Sequence, residues 1–96
     1  MEKEVIVKWR IKETETSRIL SLLAGLVEKI RAEKGNLFYN IYQSTDDANV
    51  LILHERYTDE EATDAHKNSA HYQDIVAGQI IPHLEIREVS SVKILY

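Results

Sequence analysis

The 96-residue sequence contains no cysteine. Disulfide bonds, thiol nucleophiles and thiolate metal sites are therefore excluded. Long apolar runs are also missing, because no stretch approaches the roughly 20 residues that a membrane-spanning helix needs. The first residues, Met-Glu-Lys-Glu, lead into a strand-like pattern without the apolar centre of a signal peptide. We therefore expect a cytoplasmic protein that does not contact a membrane.

Positive charge is scarce and dispersed. Lys and Arg number 12 against 16 Asp and Glu, which gives a net charge of −4, and no segment concentrates the cations. A surface for nucleic acid or anionic lipid usually requires such a concentration. We expect neither as a partner.

Glycine and proline are rare, with three and one residues respectively. The glycines are not spaced as in a phosphate-binding loop or a dinucleotide fingerprint, and no nucleophile elbow occurs. Nothing in the sequence therefore supports a nucleotide or flavin requirement, and we expect no cofactor.

Hydrophobic periodicity predicts strands over residues 5–11, 37–45, 50–57 and 86–96. Between the first two strands, apolar residues from Ile19 to Ile30 recur at helical spacing. Gly35 follows this helix, and we expect it to be the stop residue, free to take a positive φ.

A second helical region follows the third predicted strand. Thr58 begins a capping-box pattern for a short helix that runs to about residue 67. Ser69 can cap a further segment, which Pro82 would end. The order βαββαβ is the ferredoxin-like arrangement. We predict a single α+β domain over residues 1–96, with a four-stranded antiparallel sheet and helices on one face.

The predicted third strand is apolar on both faces. Leu51 and Leu53 share one face, and Val50 and Ile52 share the other. Helices can cover only one sheet face, and a second copy of the chain is the simplest cover for the other. We therefore predict a homodimer formed by sheet-to-sheet packing.

His66 and His71 are the candidate acid/base residues. Histidine titrates near neutrality and can remove a proton from a substrate or bind it through a hydrogen bond. Either residue could instead only stabilise the junction of two helical segments. A zinc-binding helix carries its histidines four residues apart with a third ligand, whereas these are five apart. We therefore expect no metal.

Glu55 interrupts an otherwise apolar strand face. Four tyrosines also occur between residues 39 and 72. A carboxylate at such a position should be paired, either for structural reasons or to orient a histidine. The tyrosines fill a core or offer phenols to a polar ligand. They are Tyr39, Tyr42, Tyr57 and Tyr72.

Three segments resemble motifs of the antibiotic biosynthesis monooxygenase family. Residues 33–44, EKGNLFYNIYQS, are similar to its E-x-G-x-x-x-Y motif at the start of the second strand. Residues 54–62, HERYTDEEA, resemble E-x-[WY]-x-[DS]-x-x-A, and residues 64–72, DAHKNSAHY, resemble A-H-x-x-S-x-H-[FY]. With the strand pattern, the resemblance covers almost the whole chain.

The resemblance implies a dimeric α/β barrel with a pocket between sheet and helices in each subunit. Characterised relatives oxidise polycyclic phenols to quinones with O₂, without metal or flavin. This implies a cofactor-independent monooxygenase with a small quinol- or phenol-type substrate and molecular oxygen as co-substrate. Other members cleave haem, but Val7 and Lys8 stand around the position of their Asn, and His66 falls nearer that of their Trp. The Asn-x-x-x-Trp pair of polyketide-oxidising members is also absent.

The resemblance also suggests roles for individual residues. We expect His66, His71 and Glu55 to be catalytic. An isomerase of a phosphorylated autoinducer-2 derivative and a non-catalytic dimeric metabolite-binding module remain alternatives. A buried His beside a Glu and a Tyr in an enclosed cavity favours an enzyme, and an aliphatic lining favours a binding module. The residues expected to contact the substrate are Tyr39, Tyr57, Ser69 and Tyr72.

Overall fold

The computed structural model describes all 96 residues, Met1–Tyr96. Its strands and helices follow the predicted order βαββαβ, with the second helical region divided in two. Short 3-10 turns precede the first helix and the last strand. The elements are β1 (Lys3–Ile11), α1 (Thr16–Arg31), β2 (Asn36–Gln43), β3 (Val50–Tyr57), α2 (Glu60–Asn68), a π-helical segment (Tyr72–Ile80) and β4 (Leu84–Val92).

The four strands form one antiparallel sheet in the order β2-β3-β1-β4. β2 and β3 form the predicted hairpin, while the helical connections bring β1 and β4 together as neighbours. This is the ferredoxin-like α+β fold that the sequence predicts. β4 is an edge strand, and most of its residues are exposed.

The face of the sheet that the helices cover, here called the inner face, carries the core. The period-two alternation of β1 turns Val7, Trp9 and Ile11 inward, where each is at most 6% exposed. Both α1 and the π-helical segment add apolar side chains to the same cluster. Its members are Val7, Trp9, Ile11, Ile19, Leu26, Ile30, Tyr39, Leu51, Leu53, Val76 and Ile80.

Gly35 has a different role from the predicted one. The helix α1 ends at Arg31 with Ala32 as its C-cap, so the prediction that Gly35 stops it is wrong, and no residue of the chain has a positive φ. A Cβ at this position would lie 2.3 Å from Cβ of Ala62 in α2. The backbone carbonyl of Gly35 also accepts a hydrogen bond from the Thr58 N–H at 2.9 Å. Gly35 is needed because the start of β2 and the first turn of α2 are in close contact.

The cap of α2 also differs from the prediction. Asp59, not Thr58, precedes the helix, and its carboxylate accepts a hydrogen bond from the Ala62 N–H at 2.8 Å. The predicted capping box on Thr58 is therefore wrong by one residue. Asp59 takes the extended conformation of an N-cap, which directs its carboxylate to the free N–H groups of the first turn.

The final strand is shorter than predicted. β4 ends at Val92, which is opposite Glu4 near the start of β1. Beyond this pair β1 offers almost no further backbone for a ladder, so residues 93–96 remain outside the sheet. Ile94, Leu95 and Tyr96 are largely exposed. None of the helices has both the length and the apolar character that crossing a membrane requires.

Candidate active site

A cavity of about 530 Å³ lies between the inner face of the sheet and the helical region that follows β3. The sequence of β3 explains its position. The inner-facing residues of this strand change from Leu51 and Leu53 to Glu55 and Tyr57, so one half of the strand is apolar and the other half is polar. Val5, Val7, Trp9, Leu53 and Val76 give the cavity apolar walls, and Tyr39, Glu55, Tyr57, His66 and Tyr72 contribute polar groups.

Glu55 and His66 are the buried ionisable pair of this cavity, with 8% and 6% of their surfaces exposed. The Tyr57 hydroxyl donates a hydrogen bond to Oε1 of Glu55 at 3.0 Å. The same carboxylate oxygen lies 3.9 Å from Nε2 of His66. This Nε2 atom therefore lies beside an acidic group at the cavity wall.

The other ring nitrogen of His66 is held by Glu33. His66 Nδ1 lies 3.0 Å from both carboxylate oxygens of Glu33, and His71 Nε2 lies 2.5 Å from Oε2 of the same residue. A carboxylate can only accept hydrogen bonds, so both imidazoles donate to it. In the neutral tautomer that this network selects, the lone pair of His66 is on Nε2.

A break in the helix brings the two histidines to one carboxylate. Ser69 ends α2, and its hydroxyl donates to the His66 carbonyl at 2.7 Å while accepting from the Tyr72 N–H at 3.2 Å. The chain therefore changes direction between His66 and His71. Both side chains reach Glu33, which lies in the connection between α1 and β2.

Three phenol rings surround the His66 imidazole. The ring centroids of Tyr72 and Tyr57 lie 5.0 and 5.1 Å from it, and that of Tyr39 lies 6.2 Å away. These contacts restrict the orientation of the imidazole, and they give the site an aromatic lining suited to a planar ligand.

Burial determines the proton affinity of the groups around His66. It raises the pKa of the Glu55 carboxyl, and the nearby His66 partly offsets that rise. Burial, with the charge of Glu55 as the second cause, also raises the pKa of the Tyr39 and Tyr57 hydroxyls. Both phenols are therefore neutral hydrogen-bond donors at physiological pH, not bases.

Glu33, His66 and His71 also form a donor set that a divalent transition metal accepts. One ligand atom from each lies within 4.8 Å of the others. The five-residue spacing does not argue against a metal, because the break at Ser69 places the histidines on separate segments. The contacts of 2.5 and 3.0 Å have hydrogen-bond lengths. Absence of a metal stays a prediction.

Not all of the residues expected in the site line the cavity. Glu55, His66, Tyr39, Tyr57 and Tyr72 do so together. His71 and Ser69 lie outside the lining and act on it indirectly, through Glu33 and through the break in the helix. His71 therefore does not border the cavity beside the other candidates.

Glu33 is the site residue that sequence reasoning missed. It is a polar residue in a connection, and it is 33 positions away from His66 along the chain. The only signal was its place at the start of the E-x-G-x-x-x-Y motif, which carries no information about its contact with His66.

Comparison with known proteins agrees with this architecture. The family model described as "Antibiotic biosynthesis monooxygenase" matches residues 4–78. The chain belongs to the antibiotic biosynthesis monooxygenase family. Membership of this family supports a function of the monooxygenase type.

Two curated relatives are similar to the chain over 68 residues. "Putative monooxygenase YcnE" of Bacillus subtilis is 32% identical, and the match covers 71% of this chain and 72% of that protein. "Putative monooxygenase Rv0793" of Mycobacterium tuberculosis is 35% identical, with 71% and 66% covered. The solved structure of Rv0793 superimposes with a TM-score of 0.88 at 30% identity, covering 100% of this chain and 97% of that one.

Proposed function

We propose that this protein is a cofactor-independent monooxygenase that oxidises a small quinol- or phenol-type molecule with O₂. The observation that carries the proposal is the arrangement of His66. Its Nδ1 is hydrogen-bonded to Glu33, and its Nε2 lies beside Glu55 in a cavity lined by three tyrosines. A histidine with one nitrogen anchored and the other directed to a site has the geometry of a general base.

The chemistry requires little more than a base and a dry, shaped site. His66 Nε2 accepts the proton of the substrate hydroxyl, and Glu33 stabilises the imidazolium that forms. The electron-rich anion then transfers electrons to O₂, and a ring carbon forms a bond to oxygen as a hydroperoxide. The proton returns to this group, water leaves, and a quinone remains. Phenol and O₂ give quinone and water, so the reaction balances without an external reductant.

The tyrosines and Glu55 would bind the substrate. The hydroxyls of Tyr39 and Tyr72 can donate hydrogen bonds to a ring oxygen as negative charge develops on it, whereas the Tyr57 hydroxyl already donates to Glu55. The apolar wall keeps water from the charged intermediate. Ser69 and His71 support this arrangement from outside the cavity, so we assign them positioning roles.

The test is oxygen uptake with a panel of hydroquinones and naphthols. His66→Ala should lower kcat/KM by about 10²–10⁴, the usual contribution of one acid/base group. His71→Ala removes only one of two hydrogen bonds to Glu33, so we expect a smaller loss. Added imidazole should partly rescue His66→Ala. His83→Ala changes a histidine outside the cavity and is the matched control.

Two outcomes would contradict the proposal in different ways. A His66→Ala variant that matches wild type on every oxidised substrate would refute the base assignment. A wild-type rate no higher than that of buffer would refute the monooxygenase. The isomerase of a phosphorylated sugar derivative and the metabolite-binding module would then be the functions to test.

We also propose that the active form is a homodimer, held by the sheet face opposite the helices. Cross-strand pairing assigns Ile6, Ile52, Ile86 and Val92 to this face. Ile6, Ile86 and Val92 are each more than a third exposed, which is unfavourable for a free surface. Sedimentation should show a dimer at micromolar concentration. A stable monomer would contradict the proposal.

A further inference from the structure

The open side of the cavity is positively charged, although the chain as a whole carries a net charge of −4. Four cationic residues belong to its lining: Lys3, Lys67, Arg87 and Lys93. None of them has a carboxylate within 4.0 Å. The three arginines that do form ion pairs do not line the cavity; they are Arg10, Arg18 and Arg56. The cavity lining therefore includes four cations that have no ion-pair partner.

The acidic residues of the lining do not neutralise these cations. Glu2 is paired with Arg56, and Glu4 is hydrogen-bonded to His54. Glu55 is buried and accepts the hydrogen bond of Tyr57. Only the carboxylate of Glu60 remains without a partner. The mouth therefore has an excess of unpaired positive charge.

The strand register explains where this charge is concentrated. β4 is the edge strand, and its inner-facing residues Arg87, Val89 and Ser91 stand opposite Trp9, Val7 and Val5 of β1. All three β4 residues line the cavity and are exposed, because no helix covers this part of the sheet. Arg87 and Lys93 lie near the two ends of this wall.

A second feature points to a ligand with acceptor atoms. Trp9 lines the cavity and is 2% exposed, and its indole N–H has no hydrogen-bond partner. A buried donor without a partner is unfavourable, and such groups are usually satisfied by water or by a ligand. Trp9 stands directly opposite Arg87 in the sheet, so this unpaired donor belongs to the same part of the sheet.

We infer that the substrate carries an anionic group remote from its reacting hydroxyl, that Arg87 binds this group at the cavity mouth, and that Lys93, at the other end of the wall, attracts it at longer range. The ligand class is a planar phenol with a carboxylate arm. The phenol ring occupies the aromatic part of the cavity near His66, and the carboxylate lies at the β4 wall beside Arg87. This inference rests on the proposed function for the identity of the phenol.

A matched pair of ligands separates charge from shape. Under nitrogen, calorimetric titration compares 6-hydroxy-2-naphthoate with its neutral methyl ester. The acid should bind roughly tenfold more tightly than the ester, as charge-assisted hydrogen bonds to Arg87 predict. The preference should decline at high ionic strength, because partly exposed charges are screened.

The double variant Arg87→Gln/Lys93→Gln should abolish the preference and leave the affinity for the ester unchanged. The unchanged ester also shows that the cavity remains folded. Lys12→Gln/Lys29→Gln removes the same number of charges from exposed sites outside the cavity, and it should keep the preference.

Three results would overturn the inference: equal binding of acid and ester, a preference that survives the Arg87/Lys93 double variant, or failure of the acid to bind. Its failure is distinguishable from that of the proposed function. Acid-selective binding without oxygen uptake would refute the reaction only. Oxidation of neutral naphthols without acid-selective binding would refute the anionic arm only.

Discussion

The same alternation of buried and partly buried residues runs through both halves of β3, but one half buries apolar side chains and the other buries polar ones. Leu51 and Leu53 are each 1% exposed and pack in the apolar cluster under the helices, where Leu53 also forms part of the cavity wall. Glu55 and Tyr57, two and four residues further on, are almost as buried but face the cavity. Burial alone therefore does not distinguish core from site in this chain. The chemistry of the buried groups does.

The energetics of the two halves differ accordingly. Full burial of each leucine stabilises the fold by about 1.5–3 kcal/mol. Burial of a carboxylate is unfavourable unless it finds partners, and Glu55 has the Tyr57 hydroxyl and the nearby His66. Burial in the apolar half stabilises the fold. This stabilisation offsets the unfavourable burial of ionisable groups in the polar half.

The largest stability effect should come from the apolar half. Leu51→Ala should lower the free energy of unfolding by about 2–5 kcal/mol, because it leaves a cavity in a closely packed region. Oxygen uptake per folded molecule should change little. Urea denaturation measures the first quantity. A loss below about 1 kcal/mol would show that this half is not packed as a core.

The contact between α2 and the start of β2 supports the polar half. Gly35→Ala should cost about 1–3 kcal/mol, because its new methyl group would overlap Cβ of Ala62. Adding Ala62→Gly should recover part of this loss. Gly25→Ala is the control: nothing lies within 4 Å of its added Cβ, and in the middle of α1 it should stabilise by about 0.5–1 kcal/mol. Equal effects of the two substitutions would contradict the close contact.

Glu55→Gln tests the cost of the buried carboxyl. The pKa of Glu55 is raised in the folded state, so folding favours its protonated form. Its contribution to stability is complete below the unfolded pKa of about 4.5 and is lost as pH rises through the folded pKa. Wild type should therefore lose stability relative to Glu55→Gln over this window, by about 1.4 kcal/mol per unit of pKa difference. Parallel stability–pH curves would refute the assignment.

The smallest effect should come from the cap of α2. Asp59→Ala removes the acceptor of the Ala62 N–H and should cost about 1 kcal/mol. Thr58→Ala should cost less, because Thr58 is not the N-cap. Thermal denaturation of the two variants compares them directly. A larger loss of stability in Thr58→Ala than in Asp59→Ala would contradict this assignment and support Thr58 as the N-cap.

Patterns of neighbouring residues were enough to predict most of the fold. The bounds of β3 and the hairpin with β2 follow from local periodicity and turn chemistry. Predictions failed where a second element decides the outcome. The role of Gly35 depends on Ala62, and the end of β4 depends on the length of its neighbour β1.

The sequence by itself determined the βαββαβ order, the buried faces and five of the 22 residues that line the cavity, because these depend on spacing along one element. Only the tertiary structure decided which polar side chains of the site are hydrogen-bonded to one another. Glu33 meets His66 and His71 because the connection after α1 passes beside the break at Ser69. Hydrogen bonds act over about 3 Å in space and are independent of distance along the chain, so no local pattern could reveal this contact.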